Sequence, residues 1–316
     1  MQIAILGLGK MGRLIAEKLL TDGHEVIVWN RSKEPLDAIR IEQAEFVVNQ
    51  KLTIIHAIEE LQNFLRKPRV IWSMLPSGEP TESILLQVNQ FVEASDIIID
   101  GGNSNFKDTQ RRFDEYGQKG VKFLGIGVTG GVHALENGCC MMVGGNADSF
   151  QYIVPILDSL SKPNGAYTYF GTGGAGHFVK MVHNGIEYGM VQAIAEGMGV
   201  LSKSDYQLDL SECANTWQDG SIISSFLLDM TIDALTKDPT LTNSNGIIGS
   251  TGEGKWTVEQ AKATNVPTPV IEQSVEFRNR SQYDKAIQDT FVAKIVQAMR
   301  FEWRGDESKN EEPQQQ

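Results

Sequence analysis

The stretch FVKMVHNGIEYGM, residues 178–190, combines polar side chains that can do chemistry with the apolar spacing of a helix. At 3.6 residues per turn, one face of this helix carries four of them: Lys180, His183, Asn184 and Glu187. Lysine and glutamate side chains can exchange protons, and imidazole and amide groups can hold a small polar substrate. Because Lys180 and Glu187 lie about two turns apart, they can act at opposite ends of one small molecule. The alternative interpretation is a solvated face stabilised by charged pairs.

A glycine loop near the N-terminus offers a binding site for a phosphate group. The sequence GLGKMG places Gly7, Gly9 and Gly12 in G-x-G-x-x-G spacing, after an apolar run and before a helical one. The first glycine permits a tight turn, the second lets the backbone approach a pyrophosphate, and the third lets helix and strand pack closely. The helix N-terminus then faces the negative charge. The loop therefore predicts dinucleotide binding, and the alternative is a glycine-rich turn without a ligand.

The segment WNRSK follows the second predicted strand, where dinucleotide-binding domains select their cofactor. An NAD site usually carries an acid here for the ribose 2′-hydroxyl. This chain has Asn30, Arg31 and Ser32 instead, with no acid before Glu34. An arginine can pair with a 2′-phosphate and stack on adenine, so the sequence favours NADP, with NAD as the alternative cofactor. Otherwise Arg31 is an exposed surface arginine.

Two further polar turns follow predicted strands. DGGNS, residues 100–104, contains Asn103, and TGGVHALENG, residues 129–138, begins with Thr129, Gly130 and Gly131. Ligands of open α/β sheets bind beyond the carboxyl ends of the strands, so both turns are well placed for a substrate. The alternative for each is a turn with a local side-chain cap.

The elements that must position these residues fall into two halves. In the first half, β-branched runs alternate with helical stretches, which predicts a Rossmann-like doubly wound parallel sheet covered on both faces. The predicted strands are 2–6, 25–29, 69–75, 96–100, 121–128 and 140–144, and the predicted helices are 11–20, 57–65, 81–93 and 105–119.

After about Phe170 the pattern becomes helical throughout. The predicted helices of this half are 174–204, 209–217, 222–236, 257–263, 269–280 and 284–301. We therefore predict a dinucleotide-binding domain over 1–170 and an all-helical domain over 171–303. The polar residues 304–316 are predicted to form a disordered tail.

Composition excludes several classes of function. Of the 316 residues, 41% are hydrophobic and 22% charged, as in globular proteins, and the net charge of −12 argues against nucleic-acid binding. No apolar run is long enough to span a bilayer, and the first residues lack the basic segment of a signal peptide. The three cysteines show no metal-binding spacing, so we expect no metal. They are also expected to be reduced thiols, which favours a cytoplasmic protein.

Taken together, these motifs resemble the 6-phosphogluconate dehydrogenases of the short-chain kind, within the β-hydroxyacid dehydrogenase group. The resemblance covers nearly the whole chain. Its more specific parts are DGGNS, the glycine pair at 130–131, KMVHNGIEY and GKWT. Other members of the group typically have an aspartate-x-serine-threonine stretch in place of DGGNS, and two asparagines in place of His183 and Asn184.

The resemblance implies oxidative decarboxylation of 6-phosphogluconate to ribulose 5-phosphate and CO2. Lys180 would be the general base that takes the proton of the C3 hydroxyl and later returns a proton to the ketone oxygen. Since a free lysine has a pKa of about 10.4, burial or a neighbouring charge would have to lower it. Glu187 would be the general acid that protonates C1 of the enediol. The 3-keto group accepts the electrons of decarboxylation, so no metal is required.

The resemblance also assigns the binding residues. The substrate set is Asn103, Thr129, Gly130, Gly131, His183, Asn184, Tyr188, Arg278 and Lys255, with Tyr188 and Arg278 as the best phosphate ligands and Arg280 and Lys255 as weaker ones. The cofactor set is Gly7, Leu8, Gly9, Lys10, Met11, Gly12, Asn30, Arg31, Ser32, Met74, Leu75 and Asn103. Thr251 stands where longer members carry a phosphate-binding lysine, and the C-terminal extension of those members has no counterpart in this sequence.

Two other hypotheses stay open at this point. The chain could act on another small β-hydroxy acid without decarboxylation, although DGGNS and the Glu187–Tyr188 pair argue against it. It could also be a dinucleotide sensor or scaffold without catalysis, but the presence of Lys180 together with Asn184 and Glu187 argues against this. The long helical half has apolar faces that must be buried, so we expect a homodimer or a homotetramer.

Overall fold

The computed structural model describes residues 1–304, apart from the side chain of Leu135. The chain divides into two compact units, the first from Met1 to Lys180 and the second from Met181 onward. The domain boundary near residue 170 remains a sequence-based prediction. Among the described residues, none of the helices has the length and apolarity needed to cross a membrane.

The first unit is built on an eight-stranded sheet with the strand order β3-β2-β1-β4-β5-β6-β7-β8. The strands are β1 (Gln2–Leu6), β2 (Glu25–Trp29), β3 (Leu52–Ile54), β4 (Val70–Ser73), β5 (Ile97–Asp100), β6 (Lys122–Thr129), β7 (Cys140–Gly145) and β8 (Ala166–Gly171). The order reverses between β1 and β4, which leaves a crevice at their carboxyl ends.

The predicted parallel sheet contains one antiparallel pair, formed by β6 and β7. Their connection runs from residue 130 to 139 and holds only a 3-10 turn and a single helical turn. A parallel return needs a crossover of a dozen or more residues, so this connection is too short for one. The remaining strand pairs of the sheet are parallel.

Helices cover both faces of the sheet. They are α1 (Lys10–Thr21), α2 (Lys33–Glu42), α3 (Ala44–Val48), α4 (Leu61–Phe64), α5 (Glu79–Val88), α6 (Phe106–Gly117), α7 (Ala134–Asn137) and α8 (Ala147–Ser161). Alternate residues of β1 enter different cores: Ile3 and Ile5 join one cluster, and Ala4 and Leu6 join the other. Burial on both faces explains why the strand is a continuous apolar run.

Several elements of the first unit were not predicted. β3 has only three residues, and β8 is an edge strand whose residues are all exposed or half-buried, so neither shows a buried strand pattern. α8 contains Pro155, a residue that usually breaks a helical pattern. The helix predicted at 57–65 is a 3-10 turn at Ile58–Glu60 followed by the single turn of α4.

The second unit is helical, as predicted. Its elements are the 28-residue helix α9 (Ala175–Ser202), which begins in the first unit, and α10 (Leu210–Gln218), α11 (Phe226–Lys237), α12 (Glu253–Ala263), α13 (Pro269–Ser281), α14 (Lys285–Gln288) and α15 (Phe291–Arg304). Its core joins Val191 and Met198 of α9 to Leu228 of α11 and Ile295 of α15. The helix predicted at 284–301 is divided into α14 and α15. The predicted tail lies outside the described residues except for Arg304, which ends α15.

Candidate active site

The glycine loop closes tightly against the end of β4. Gly7 has a φ of +102°, and a Cβ atom there would lie 2.7 Å from the carbonyl oxygen of Met74 and 2.8 Å from a side-chain carbon of Leu75. A Cβ on Gly12 would collide with the carbonyl of Gly7. Because neither position can hold a side chain without moving backbone, both glycines are required by the way β1, α1 and β4 pack.

The start of α1 is open. Gly9 is the residue before the helix, a Cβ there would meet no atom within 4 Å, and no side chain of the described residues caps the helix. The first turn contains no acidic side chain. The first N–H groups of a helix have no partner within the helix, and the positive end of its dipole lies here, so the start of α1 suits the pyrophosphate of a dinucleotide.

Asn30 links the glycine loop to the corner after β2. Its Oδ1 accepts a hydrogen bond from the backbone N–H of Leu8 at 2.9 Å, and its Nδ2 donates to the carbonyl of Ser32 at 3.1 Å. The side chains of Arg31 and Ser32 are exposed. Asn30 thus shapes the corner, while Arg31 and Ser32 are accessible to a ligand.

The DGGNS turn is held by a buried carboxylate at the end of β5. Asp100 accepts hydrogen bonds from the backbone N–H of Gly102 at 3.1 Å and from Arg112 Nη1 at 2.6 Å. A Cβ on Gly102 would lie 2.6 Å from the carbonyl oxygen of Leu75, so this turn adjoins the end of β4. Asn103 is exposed on the turn. The contact between Arg112 and Asp100 was not predicted, because Arg112 lies in α6, 12 residues after Asp100 in the sequence.

The first turn of α9 carries a buried histidine. His177 is 1% exposed, and its Nδ1 is 2.7 Å from Thr109 Oγ1. Burial lowers the pKa of His177 below its usual value of 6.5, although the negative charge of Asp100 opposes the shift. The only sequence signal for this residue is its position three residues before Lys180, on the same helix face.

Lys180 is buried against β6. Its side chain is 6% exposed, and a Cβ on Gly127 would collide with its Cβ and Cγ atoms. Gly127 lies two residues before Thr129, the last residue of β6, and the half-buried turn at Gly130 and Gly131 follows. The first unit therefore brings Lys180 to the strand that leads into this turn.

On the next turn of α9, polar side chains form a hydrogen-bonded row. His183 Nδ1 lies 3.0 Å from Asn184 Oδ1, and Asn184 Nδ2 donates to Glu253 Oε1 at 3.0 Å. Asn184 and Glu253 are buried, whereas Glu187 is half-buried. Sequence reasoning missed Glu253, although it lies two residues before Lys255 and directly before the GKWT motif.

The two residues predicted to bind phosphate contact each other. The guanidinium carbon of Arg278 lies 3.3 Å from the centroid of the Tyr188 ring, a cation–π arrangement. Arg278 is 2% exposed, and its Nη2 has no hydrogen-bond partner among residues 1–304. The Tyr188 hydroxyl is 3.1 Å from Ser250 Oγ. Lys255 is exposed, and Arg280 pairs with Asp284 at 2.9 Å, so Arg278 is the buried cation of this group.

Two family models together match nearly all of the chain. Residues 2–173 match the NAD binding domain of 6-phosphogluconate dehydrogenase, and residues 176–311 match the C-terminal domain of 6-phosphogluconate dehydrogenase. The chain thus has the fold of an NAD(P)-binding oxidoreductase: a Rossmann domain followed by a helical domain, which confirms the predicted fold class. It belongs to the 6-phosphogluconate dehydrogenase family, which confirms the resemblance drawn from the motifs.

Individual relatives agree with this assignment. YqeC of Bacillus subtilis is 38% identical over 305 residues, covering 96% of this chain and 98% of its own. An NAD(+)-dependent, decarboxylating 6-phosphogluconate dehydrogenase of Haloferax volcanii is 32% identical over 302 residues, covering 95% of this chain and 96% of its own. The solved 6-phosphogluconate dehydrogenase of Plasmodium falciparum, a complex with NADP+ among its structures, has a TM-score of 0.79 at 31% identity and covers all of this chain and 67% of its own.

Proposed function

We propose that this protein oxidises and decarboxylates 6-phosphogluconate to ribulose 5-phosphate and CO2, with NADP as its cofactor. The observation that carries the proposal is the buried guanidinium of Arg278, which stacks on Tyr188 and keeps an unpartnered Nη2. A buried guanidinium nitrogen without a hydrogen-bond partner is costly, and a phosphate group would satisfy it with charge-assisted hydrogen bonds. Tyr188 directly follows Glu187 on α9, so the phosphate end and the proton-transferring row share one helix.

Lys180 would act at the C3 hydroxyl. Lys180 is buried beside β6, and the amine of a lysine can act as a general base. NADP bound over the glycine loop would supply the hydride acceptor. Lys180 would take the hydroxyl proton as a hydride leaves C3 for the cofactor; the 3-keto acid would then lose CO2, and the lysine would return its proton to the ketone oxygen to give the enediol. Asn103 and the turn at 129–131 would hold the hydroxyls and the carboxylate.

The residues of the first unit fit such a cofactor. The open start of α1 would hold the pyrophosphate, with Leu8, Lys10 and Met11 beside it, and the exposed Arg31 and Ser32 would reach the ribose 2′-phosphate. Met74 and Leu75 line the same crevice because they contact the position of Gly7.

The direct test is an assay of the purified protein with 6-phosphogluconate and NADP, measuring NADPH and CO2 together. The proposal requires both products in equal amounts. NADPH without CO2 would indicate a dehydrogenase of another hydroxy acid, and neither product would favour a dinucleotide sensor.

Cofactor choice provides a prediction at Arg31. The wild type should have the higher kcat/KM with NADP, and Arg31→Asp should prefer NAD, because the change removes an attractive charge and adds a repulsive one. Arg40→Asp on the exposed side of α2 is the matched control and should leave the preference unchanged. If the wild type used NAD equally well or better, Arg31 would not bind the 2′-phosphate, although the reaction itself could still be as proposed.

Glu187 should protonate C1 of the enediol. We expect Glu187→Gln to lower kcat by about tenfold, since water can partly replace a half-buried proton donor. Glu196→Gln, on an exposed position of the same helix, is the matched control. Steady-state turnover and its pH profile measure the effect, and an unchanged profile would remove Glu187 from the reaction.

We also propose that the protein is a cytoplasmic homodimer or homotetramer. All three cysteines, Cys139, Cys140 and Cys213, are free thiols, as expected in a reducing compartment. Large apolar side chains of the second unit are exposed, among them Ile222 and Phe226, and contact between subunits would bury them.

A further inference from the structure

Glu253 is a buried carboxylate, and among residues 1–304 only one of its two oxygens has a hydrogen-bond partner. It is 2% exposed; Oε1 accepts the hydrogen bond from Asn184 Nδ2, and Oε2 has no partner among residues 1–304. Glu253 occupies the first turn of α12, where the helix dipole stabilises a negative charge. An unsatisfied oxygen of a buried carboxylate requires an explanation, and a ligand with a donor group is one.

The carboxylate also determines how its neighbours must be oriented. An ionised carboxylate only accepts hydrogen bonds, so the Asn184 amide must present its Nδ2 to Glu253 and its Oδ1 to His183. The Nδ1 of His183, 3.0 Å from that oxygen, must then carry a hydrogen. In the neutral ring this makes Nε2 the acceptor nitrogen.

We propose that Glu253 is a positioning and specificity residue. Through Asn184 it fixes His183 in the Nδ1–H tautomer, and its own Oε2 is available to accept a hydrogen bond from a ligand. This part of the second unit would therefore recognise hydroxyl donors, as a polyhydroxy acid provides. The identity of that acid rests on the proposed function.

Glu253 is unsuited to binding the phosphate itself, because a carboxylate repels it. The phosphate-binding residues lie next to Glu253 in the structure. A Cβ on Gly254, the residue after Glu253, would lie 2.6 Å from the ring of Tyr188, and Arg278 stacks on that ring. The cation at Tyr188 would bind the phosphate, and Oε2 of Glu253 would bind a hydroxyl. A substrate that lacks hydroxyl groups would leave this oxygen unsatisfied, and such sites discriminate strongly.

The first experiment measures the tautomer of His183 without any turnover. The chain has five histidines, so 15N-imidazole NMR gives few signals, and His183→Asn identifies the one of interest. We expect the Nδ1–H form in the ligand-free wild type and both tautomers in Glu253→Ala and in the isosteric Glu253→Gln, whose amide no longer dictates the orientation of Asn184. Glu259→Ala, exposed on the same helix, is the matched control and should keep the wild-type signal.

The second experiment measures specificity. Glu253→Gln should raise the KM for 6-phosphogluconate by about tenfold to a hundredfold, as loss of hydrogen bonds to a charged group predicts, and leave the KM for NADP unchanged. An Nε2–H tautomer in the wild type, an unaltered His183 signal in both Glu253 variants, or an unchanged KM would each overturn the inference. If the wild type does not oxidise 6-phosphogluconate, the proposed function fails, whereas the tautomer result still decides the role of Glu253.

Discussion

Replacement of Lys180 by methionine is expected to lower kcat by about 10²–10⁴-fold, the usual contribution of a general base. Methionine keeps an unbranched apolar stem, so the packing against Gly127 should survive while the amine is lost. The KM for NADP should stay close to the wild-type value, since the glycine loop is untouched. Steady-state kinetics with 6-phosphogluconate, together with a thermal melt, measure both effects.

Two further variants make this test specific. Lys203→Met removes an exposed lysine just beyond α9 and should have wild-type kinetics. Gly127→Ala keeps the amine but forces its stem away from β6, so it should also lose activity. A Lys180→Met enzyme with more than half of the wild-type rate would show that another group is the base.

Replacement of Arg278 by alanine should have the second largest effect, on the KM for 6-phosphogluconate. An arginine–phosphate pair is charge-assisted and commonly bidentate, so its loss should cost about 1.5–3 kcal/mol, or roughly 10–150-fold in KM. The KM for NADP should change little. Arg278→Lys should recover only part of the loss, because an ammonium keeps the charge but cannot stack on Tyr188 as a planar guanidinium does.

The matched control for this position is Arg280→Ala, which removes an exposed arginine from the same helix. That variant should bind 6-phosphogluconate as the wild type does, because Arg280 is already paired with Asp284. If Arg278→Ala had an unchanged KM, the phosphate site would lie elsewhere, and Lys255 would be the next residue to replace.

The sequence predicted those parts of the fold that depend on local patterns. The buried runs of β1 and β2 and the long apolar repeat of α9 are local, and each element was predicted to within a few residues. β3 and β8 were missed because a short edge strand buries too little to show a periodic pattern. The antiparallel pairing of β6 and β7 was missed, although the segment between the two predicted strands is too short for a parallel crossover.

The candidate site divides in the same way. The glycine loop and the row on α9 were predictable because their spacing follows one turn or one helix. Glu253 meets Asn184 across 69 residues of sequence, and His177 meets Thr109 across 68. Neither pairing leaves a signal in the local sequence, so these contacts can be recognised only in the folded structure. The roles assigned to Lys180, Glu187 and Arg278 stay predictions until the variants are measured.

The continuity of α9 has a consequence for how this site can vary. Lys180 and Glu187 belong to one unbroken helix, so their separation is set by the helical rise, about 10 Å for seven residues. Inserting a single residue between them would turn every later side chain by about 100° and remove Glu187 from the face of Lys180. Only insertions near whole turns would restore the phase, and each would lengthen the spacing. Substitution can therefore change the side chain at either position, but the distance between the two positions can change only by whole helical turns if both side chains are to stay on one face.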